Sequence, residues 1–335
     1  MRNQPQESLR SRHLFACFTA AATLILIFAG GLVTSTGSGL SVPDWPLSYG
    51  LLFPPMVGGI FYEHGHRMIA GTVAILTTIL AIWTWRSERR GWVRGLAAAA
   101  LGTIVLQAVL GGITVLFLLP PAVSVSHACL AQAFLCLVVT LATVTGQGWI
   151  STRPRTTPEP RSPLVGLAVA TTAIVYVQLI LGAVMRHIGA GLAIPDFPLS
   201  FGRLVPEMTS ATVVIHFAHR LGAIAVFASA LWTVSRVLTA HRHETALVRP
   251  AVLLIALVMT QVMLGAFIVW TRKAAVPTTA HVATGAAVLA TSLVLALRAY
   301  RLNSLRVPAS TPAFVSPFEN PRRDTAALVA GRIPA

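Results

Sequence analysis

Two short stretches hold most of the residues able to do chemistry. In Tyr62-Glu63-His64-Gly65-His66-Arg67, a carboxylate, two imidazoles and a guanidinium sit side by side at the mouth of a long apolar run. His216-Phe217-Ala218-His219-Arg220 repeats the pattern 153 positions later. His127 and His281 each open another apolar run. A neutral imidazole is a metal ligand and a proton carrier near neutral pH. Ionisable groups in a membrane setting are costly and tend to be functional, so four histidines at matching places point to shared ligand chemistry.

The elements that must position them are membrane helices. The chain has 335 residues, 55% hydrophobic and only 10% charged, where a soluble domain carries about 25% charged residues. Eight apolar runs can be drawn, at 14–34, 63–85, 95–118, 125–147, 164–185, 212–235, 249–270 and 278–299. Each is about 20 residues, long enough for a helix to cross the hydrocarbon. Helices are required because lipid offers the backbone no hydrogen-bond partner.

Of the 25 basic residues only Lys273 is lysine, and the arginines fall in short loops between the runs. That pattern is a topology signal and argues against nucleic-acid binding. Only Arg186, Arg203, Arg272 and Lys273 lie in the loops of the poorer side. The bias puts both termini in the cytoplasm and all four histidines near the outer face of the cell (inner) membrane. Cys17, Cys129 and Cys136 lie inside apolar runs, so no disulfide framework is implied. No small-residue cleavage signature follows the first run, which is expected to be a retained span.

The two halves of the chain match. Gly37-Ser38-Gly39-Leu40-Ser41-Val42-Pro43-Asp44-Trp45-Pro46-Leu47-Ser48-Tyr49-Gly50 aligns with Gly189-Ala190-Gly191-Leu192-Ala193-Ile194-Pro195-Asp196-Phe197-Pro198-Leu199-Ser200-Phe201-Gly202, offset 152. Gln107-Ala108-Val109-Leu110-Gly111 aligns with Gln261-Val262-Met263-Leu264-Gly265, and His127 with His281, offset 154. Four spans per half is an even number, so both halves enter the membrane the same way round, related by a pseudo-two-fold axis along its normal. The expected fold is an all-α integral membrane protein with eight transmembrane helices in two four-helix bundles. Its parts are a cytoplasmic N-tail (1–13), a first bundle (14–147), a cytoplasmic Pro-, Thr- and Arg-rich linker (148–163), a second bundle (164–300) and a cytoplasmic tail (301–335).

Four-helix bundles build cofactor sites from side chains on facing helices. Two neutral imidazoles meeting across a dry gap form an axial pair for haem iron. His66 with His127, and His219 with His281, are therefore the candidate iron ligands. Zinc fits less well, because two histidines per half without nearby Cys or Asp fall short of its usual shell. Gly71, Gly111, Gly112, Gly222, Gly265 and Gly285 are expected to let a flat macrocycle approach the backbone. Arg67 and Arg220 suit either pairing with haem propionates or anchoring in the headgroups. Glu63 shares a helix face with His66, and the repeat puts His216 there instead. It could accept a proton or position a water, or it could pair with Arg67 at i, i+4. His64 projects about 100° per residue off the ligand face and is expected at the interface. His13, His187, His241 and His243 receive no role.

Together these motifs resemble the haem A synthase family, over the chain from about Leu24 to about Tyr300. The resemblance implies oxidation of the C8 methyl of haem O to the formyl of haem A, through a hydroxymethyl stage, for cytochrome oxidase assembly. It implies substrate haem O in the first half, held by His66 and His127 with Arg67 beside them. It implies a haem b cofactor in the second half, held by His219 and His281 with Arg220, and a catalytic Glu63. Many bacterial members carry a cysteine pair in the first outer loop. This chain has no cysteine between Cys17 and Cys129, and is similar to the cysteine-free branch. The implied partners are haem O, a haem O synthase that delivers it, an electron acceptor in the membrane, the lipid bilayer, and a second copy in a homo-oligomer. The alternative on the same histidines is a non-enzymatic diheme b-type cytochrome exchanging electrons with quinol. A transporter built on a parallel repeat would need polar groups at the bilayer midplane, whereas here they cluster at the outer mouth, with Gln107 and Gln261 the deeper exceptions.

Overall fold

The computed structural model describes residues 6–151 and 163–304. Among them are eight helices long and apolar enough to cross a membrane. These are α1 (Gln6–Ser35), α2 (Gly58–Ser87), α3 (Gly91–Leu116), α4 (Pro121–Thr145), α6 (Leu164–His187), α7 (Ala211–Ala240), α8 (Thr245–Trp270) and α9 (Ala275–Ser304). A single-turn helix, α5 (Gln147–Ile150), follows α4, and a 3₁₀ turn (Ala190–Leu192) follows α6. Most of the linker and of the C-terminal tail lies outside the described residues.

Several helices outrun the apolar runs that announce them. α2 begins at Gly58, so His66 sits about two turns inside it. α1 begins at Gln6 and takes in much of the expected N-tail. In α1 hydropathy misses the extension because the added turns carry polar side chains, Arg12 among them, that are satisfied by other elements; in α2 the extension opens with Gly58 and Gly59, poor helix formers that sequence reading takes for loop.

Each half closes into a ring. α1 packs on α2, α2 on α3, α3 on α4 and α4 on α1; α6 to α9 repeat the cycle. The rings meet where α1 packs on α9, α4 on α6 and α4 on α9. Exchanging each helix for its repeat partner turns the α1–α9 contact into α6–α4 and leaves α4–α9 unchanged, as a two-fold axis between α4 and α9 requires. Half of the α4 span and 44% of the α9 span are buried, against 22–28% in the other six, which makes these two the central pair. Phe134, Leu135, Val138 and Leu141 of α4 fill the first core with Val73, Leu80, Val93, Ala97 and Ile104. Phe18, Ile25, Ile75, Ile79, Leu231 and Trp232 are exposed on the outside, where lipid is the solvent.

The end of the first bundle away from the histidines is locked by charge. Arg12, 1% exposed, donates to Glu88 Oε2 at 2.9 Å and to Ser87 Oγ at 2.8 Å. Arg90 adds bonds to both Glu88 oxygens and one to Val144 O at 3.0 Å. One carboxylate thus joins α1, the α2–α3 turn and the end of α4. Burial alone would raise the Glu88 carboxyl, but hydrogen bonds from Arg90 and the charges of Arg90 and Arg12 outweigh it and hold it at about 2. Because the folded value lies below the ordinary 4.5, this stabilisation is complete above that pH and is lost as pH falls toward 2. Glu88→Ala leaves Arg12 buried without its counter-charge, and should destabilise the protein by about 3–5 kcal/mol. Thermal unfolding in detergent measures this loss. In Glu88→Gln the decline in stability between pH 4.5 and 2 should be smaller than in the parent.

Candidate haem-binding sites at one end of the bundles

The loop between α1 and α2 is folded by its own backbone. Ser48 and Leu51 exchange two hydrogen bonds of 3.0 Å across Tyr49 and Gly50, whose φ values are +54° and +71°. Two successive positive φ values make a type I′ turn, which explains the glycine. The Asp44 carboxylate accepts from Tyr49 N–H at 2.7 Å and Gly50 N–H at 2.8 Å. The bond from Gly50 contributes most to holding this carboxyl below its ordinary range. In the second loop Asp196, Phe201 and Gly202 repeat the arrangement, with the same 2.7 and 2.8 Å bonds. Trp45–Pro46 and Phe197–Pro198 are both cis.

Arginines hold these loops to the helices. Arg67 Nη1 donates to Asp44 O at 2.7 Å and Leu47 O at 2.8 Å, and Nη2 to Glu63 Oε1 at 2.8 Å. Arg220 Nη1 donates to Leu199 O at 2.7 Å and Nη2 to Asp196 O at 2.6 Å. These donors are spent on loop carbonyls, a use that neither sequence-based alternative for the arginines anticipates. Glu63 is 3% exposed, and its Oε2 accepts from Val42 N–H at 2.8 Å. The repeat keeps that contact with a different acceptor: Ile194 N–H donates to His216 Nδ1 at 3.2 Å. The Glu63–Arg67 pair therefore exists, and it is part of a loop anchor. His64 departs from the expectation of an interfacial side chain. It is 6% exposed, with Nδ1 2.8 Å from Ser48 Oγ, because the loop folds back over this face of α2.

The four candidate ligands come from α2 and α4 in one bundle and from α7 and α9 in the other, which are opposite helices of each ring. All four are half-buried. The His219 and His281 rings lie edge to face, with centroids 6.4 Å apart and planes inclined by 62°. A metal–imidazole bond of about 2 Å at each ring, plus about 1 Å from nitrogen to centroid, gives about 6 Å, so one iron fits between them. His66 likewise has His127 as its electrostatic neighbour. Among the described residues no group of three or more His, Cys, Asp or Glu comes together, so the pairs match an axial set better than a tetrahedral one.

Glycines seat the rings. A Cβ on Gly30 would come 3.0 Å from His66 Cε1, and one on Gly182 would come 3.1 Å from His219 Cε1. Gly111 and Gly265 stand in the same relation, 3.4 Å, to His127 and His281. Gly111 and Gly265 thus receive imidazoles, where a macrocycle is expected from sequence. Gly112 receives the Trp45 ring, Gly222 the Gln178 amide, and Gly285 faces Leu179 and Gln261; only Gly71 of the six has nothing near it.

Sequence reasoning passes over Gly30, Gly182, Gln178 and Arg186. The repeat signals the two glycines, since they pair at the loop offset of 152. Gln178 lies 3.1 Å from His219 Nδ1. Arg186, expected in a loop, ends α6 and crosses to the other bundle, donating to Gly31 O at 2.7 Å and Ser35 Oγ at 2.9 Å. Ser35 also accepts from Thr279 Oγ1 of α9 at 3.0 Å.

The chain is similar in sequence to named proteins. A protein named heme A synthase from Halalkalibacterium halodurans is 32% identical over 277 residues, covering 78% of this chain and 88% of the relative. One from Symbiobacterium thermophilum is 34% identical, covering 73% and 81%. One from Geobacillus thermodenitrificans is 29% identical over 307 residues, covering 87% and 93%. The family described as cytochrome oxidase assembly protein matches residues 13–58 and 56–294, which takes in both histidine pairs and both outer loops, and the chain belongs to that family.

Proposed function

We propose that the chain is a haem A synthase, a membrane oxidoreductase that converts the C8 methyl of haem O into the formyl group of haem A by way of a hydroxymethyl. Haem O is the substrate of the first bundle, between His66 and His127. Haem b is the resident cofactor of the second, between His219 and His281. The observation that carries this reading is the pair of imidazoles on opposite helices of the second bundle, His219 and His281, with ring centroids 6.4 Å apart, in a chain whose relatives bear that name and whose first bundle repeats the two histidines as His66 and His127. Both termini are cytoplasmic and the haem sites lie toward the outer face of the cell membrane. The electron acceptor is in the same membrane, and haem O arrives from the synthase that makes it.

A methyl group on a macrocycle has no acidic proton, so bound haem supplies the redox chemistry that acid–base groups cannot. The chain supplies position and proton handling. Glu63 keeps a carboxylate one turn from His66, and its two oxygens retain lone pairs after bonding Arg67 and Val42. It can therefore take a proton released as the substituent is oxidised. His216 fills the same loop-holding place in the second bundle, which suits a half that only passes electrons. Arg67 and Arg220 are positioning residues: they fix the outer loops against the helices that carry His66 and His219.

Protein purified from cells co-expressing a haem O source should yield haem A and haem b when its pigments are extracted and separated by chromatography. Haem b alone, with haem O left unconverted, would return the chain to the class of electron-carrying cytochromes. Glu63→Gln keeps an acceptor for Val42 N–H but removes the charge. It should lower haem A formation on the order of 10²-fold while leaving the haem b spectrum unchanged. Equal loss of both haems in this variant would count against a role for Glu63 in the substrate half.

A further inference from the structure

One guanidinium beside the second pair of histidines has no acid to answer it. Arg186 lies in the last turn of α6 and is half-buried. Among the described residues it forms no ion pair with a carboxylate. Both of its hydrogen bonds come from Nη2, to Gly31 O at 2.7 Å and Ser35 Oγ at 2.9 Å, and both acceptors are neutral. They use the hydrogens of Nη2 and leave those on Nη1 and Nε. A cation at membrane depth is costly without a counter-charge, which neutral acceptors do not supply. Arg67 and Arg220, by contrast, are committed to loop carbonyls.

Arg186 stands at the mouth of the second bundle. Gly182, which receives the His219 ring, lies four residues earlier on α6. The two share a helix face, with Arg186 about 6 Å nearer the loop end. On the other side, Ser35 accepts from Thr279 of α9 at 3.0 Å, and a Cβ on Gly31 would come 3.5 Å from Thr279 and Val282. Thr279 and Val282 bracket His281 in the chain, and Arg186 is an electrostatic neighbour of that histidine. The first half has Thr34 at the matching position, so this cation belongs to the second bundle. A haem between His219 and His281 brings two propionates. Carboxylates are costly to bury among apolar side chains, so the propionate edge of the macrocycle faces the loop end of the bundle, where Arg186 is.

We infer that Arg186 binds a propionate of the haem held by His219 and His281, through the part of its guanidinium that α1 leaves free. This rests on the assignment of the resident haem to the second bundle. The propionate supplies the missing counter-charge in a charge-assisted hydrogen bond. Because Nη2 stays on Gly31 and Ser35, the bound haem is tied through one side chain to α1 of the other bundle. A lipid phosphate carries the same kind of charge and suits the same guanidinium, so the test separates the two.

The test uses full-length protein from haem-deficient cells, loaded in detergent with haem b or with its dimethyl ester, whose propionates carry no charge. Release to an excess of apo-globin is followed in the Soret region, and the part missing in His219→Ala is assigned to the second bundle. The parent should lose the ester about 10–100-fold faster than haem b. Arg186→Gln should lose haem b faster by a similar factor, so that ester and acid leave at nearly one rate. A merely structural role would speed both and keep their ratio. Arg186→Lys, which keeps the charge but not the fork, should retain only part of the preference for the acid. Equal release of ester and acid from the parent means that another anion, such as a lipid phosphate, holds Arg186, and overturns the inference. A ratio unchanged in Arg186→Gln also overturns it, while the assignment stands. If His219→Ala loses no part of the bound haem b, the assignment itself fails. Should Arg186→Gln not fold, Arg186→Lys decides, and a ratio as large as the parent's overturns the inference.

Discussion

The structure is organised around four imidazoles carried on opposite helices of its two bundles. Lipid cannot hydrate a polar side chain, so partners inside the protein are strongly favoured at membrane depth. The surrounding features follow from that constraint. Glycines on neighbouring helices make room for the rings: Gly30 and Gly182 for His66 and His219, Gly111 and Gly265 for His127 and His281. Arginines one residue past His66 and His219 turn away to grip loop carbonyls. The outer loops carry their own internal hydrogen bonds, so they meet the helix ends as preformed pieces.

Duplication explains the architecture, and departures from duplication explain the chemistry. The two loops repeat down to the φ values of their turns. Three departures then separate the halves. Glu63 becomes His216, which keeps the loop contact but removes a carboxylate from beside the histidine. Leu26 and Ile69 become Gln178 and Gly222, which brings an amide to His219 of the second bundle. The Arg12–Glu88–Arg90 lock belongs to the first bundle. Each change is small in sequence and local in space, and together they make the two bundles chemically distinct.

The class of the protein, its eight spans, its repeat and its four candidate ligands are all legible in the sequence, because each rests on hydropathy or on a motif that occurs twice. Helix ends are less legible. The first turns of α1 are polar and are stabilised by contacts made far along the chain, such as Arg12 with Glu88, and α2 opens with two glycines that read as loop. His64 reads as an interfacial residue until the loop is seen folding over it to reach Nδ1 with Ser48. Gln178 looks like an ordinary polar residue in an apolar run, since its meaning lies in a histidine on the next helix and a glycine one turn further on. Gly111 and Gly265 show the same limit: the sequence says that something needs space there, and only the packing says that it is an imidazole.

Arg186 has a consequence for how the halves belong together. Its guanidinium leaves α6 and ends on Gly31 O and Ser35 Oγ of α1, while the matching position of the first half is Thr34. Two copies of the second half, assembled as a dimer on the same axis, would bring two guanidinium groups into one seam. Two copies of the first half would bring none. The seam is therefore one-sided: one half brings the guanidinium, and the other brings the carbonyl and hydroxyl that accept from it.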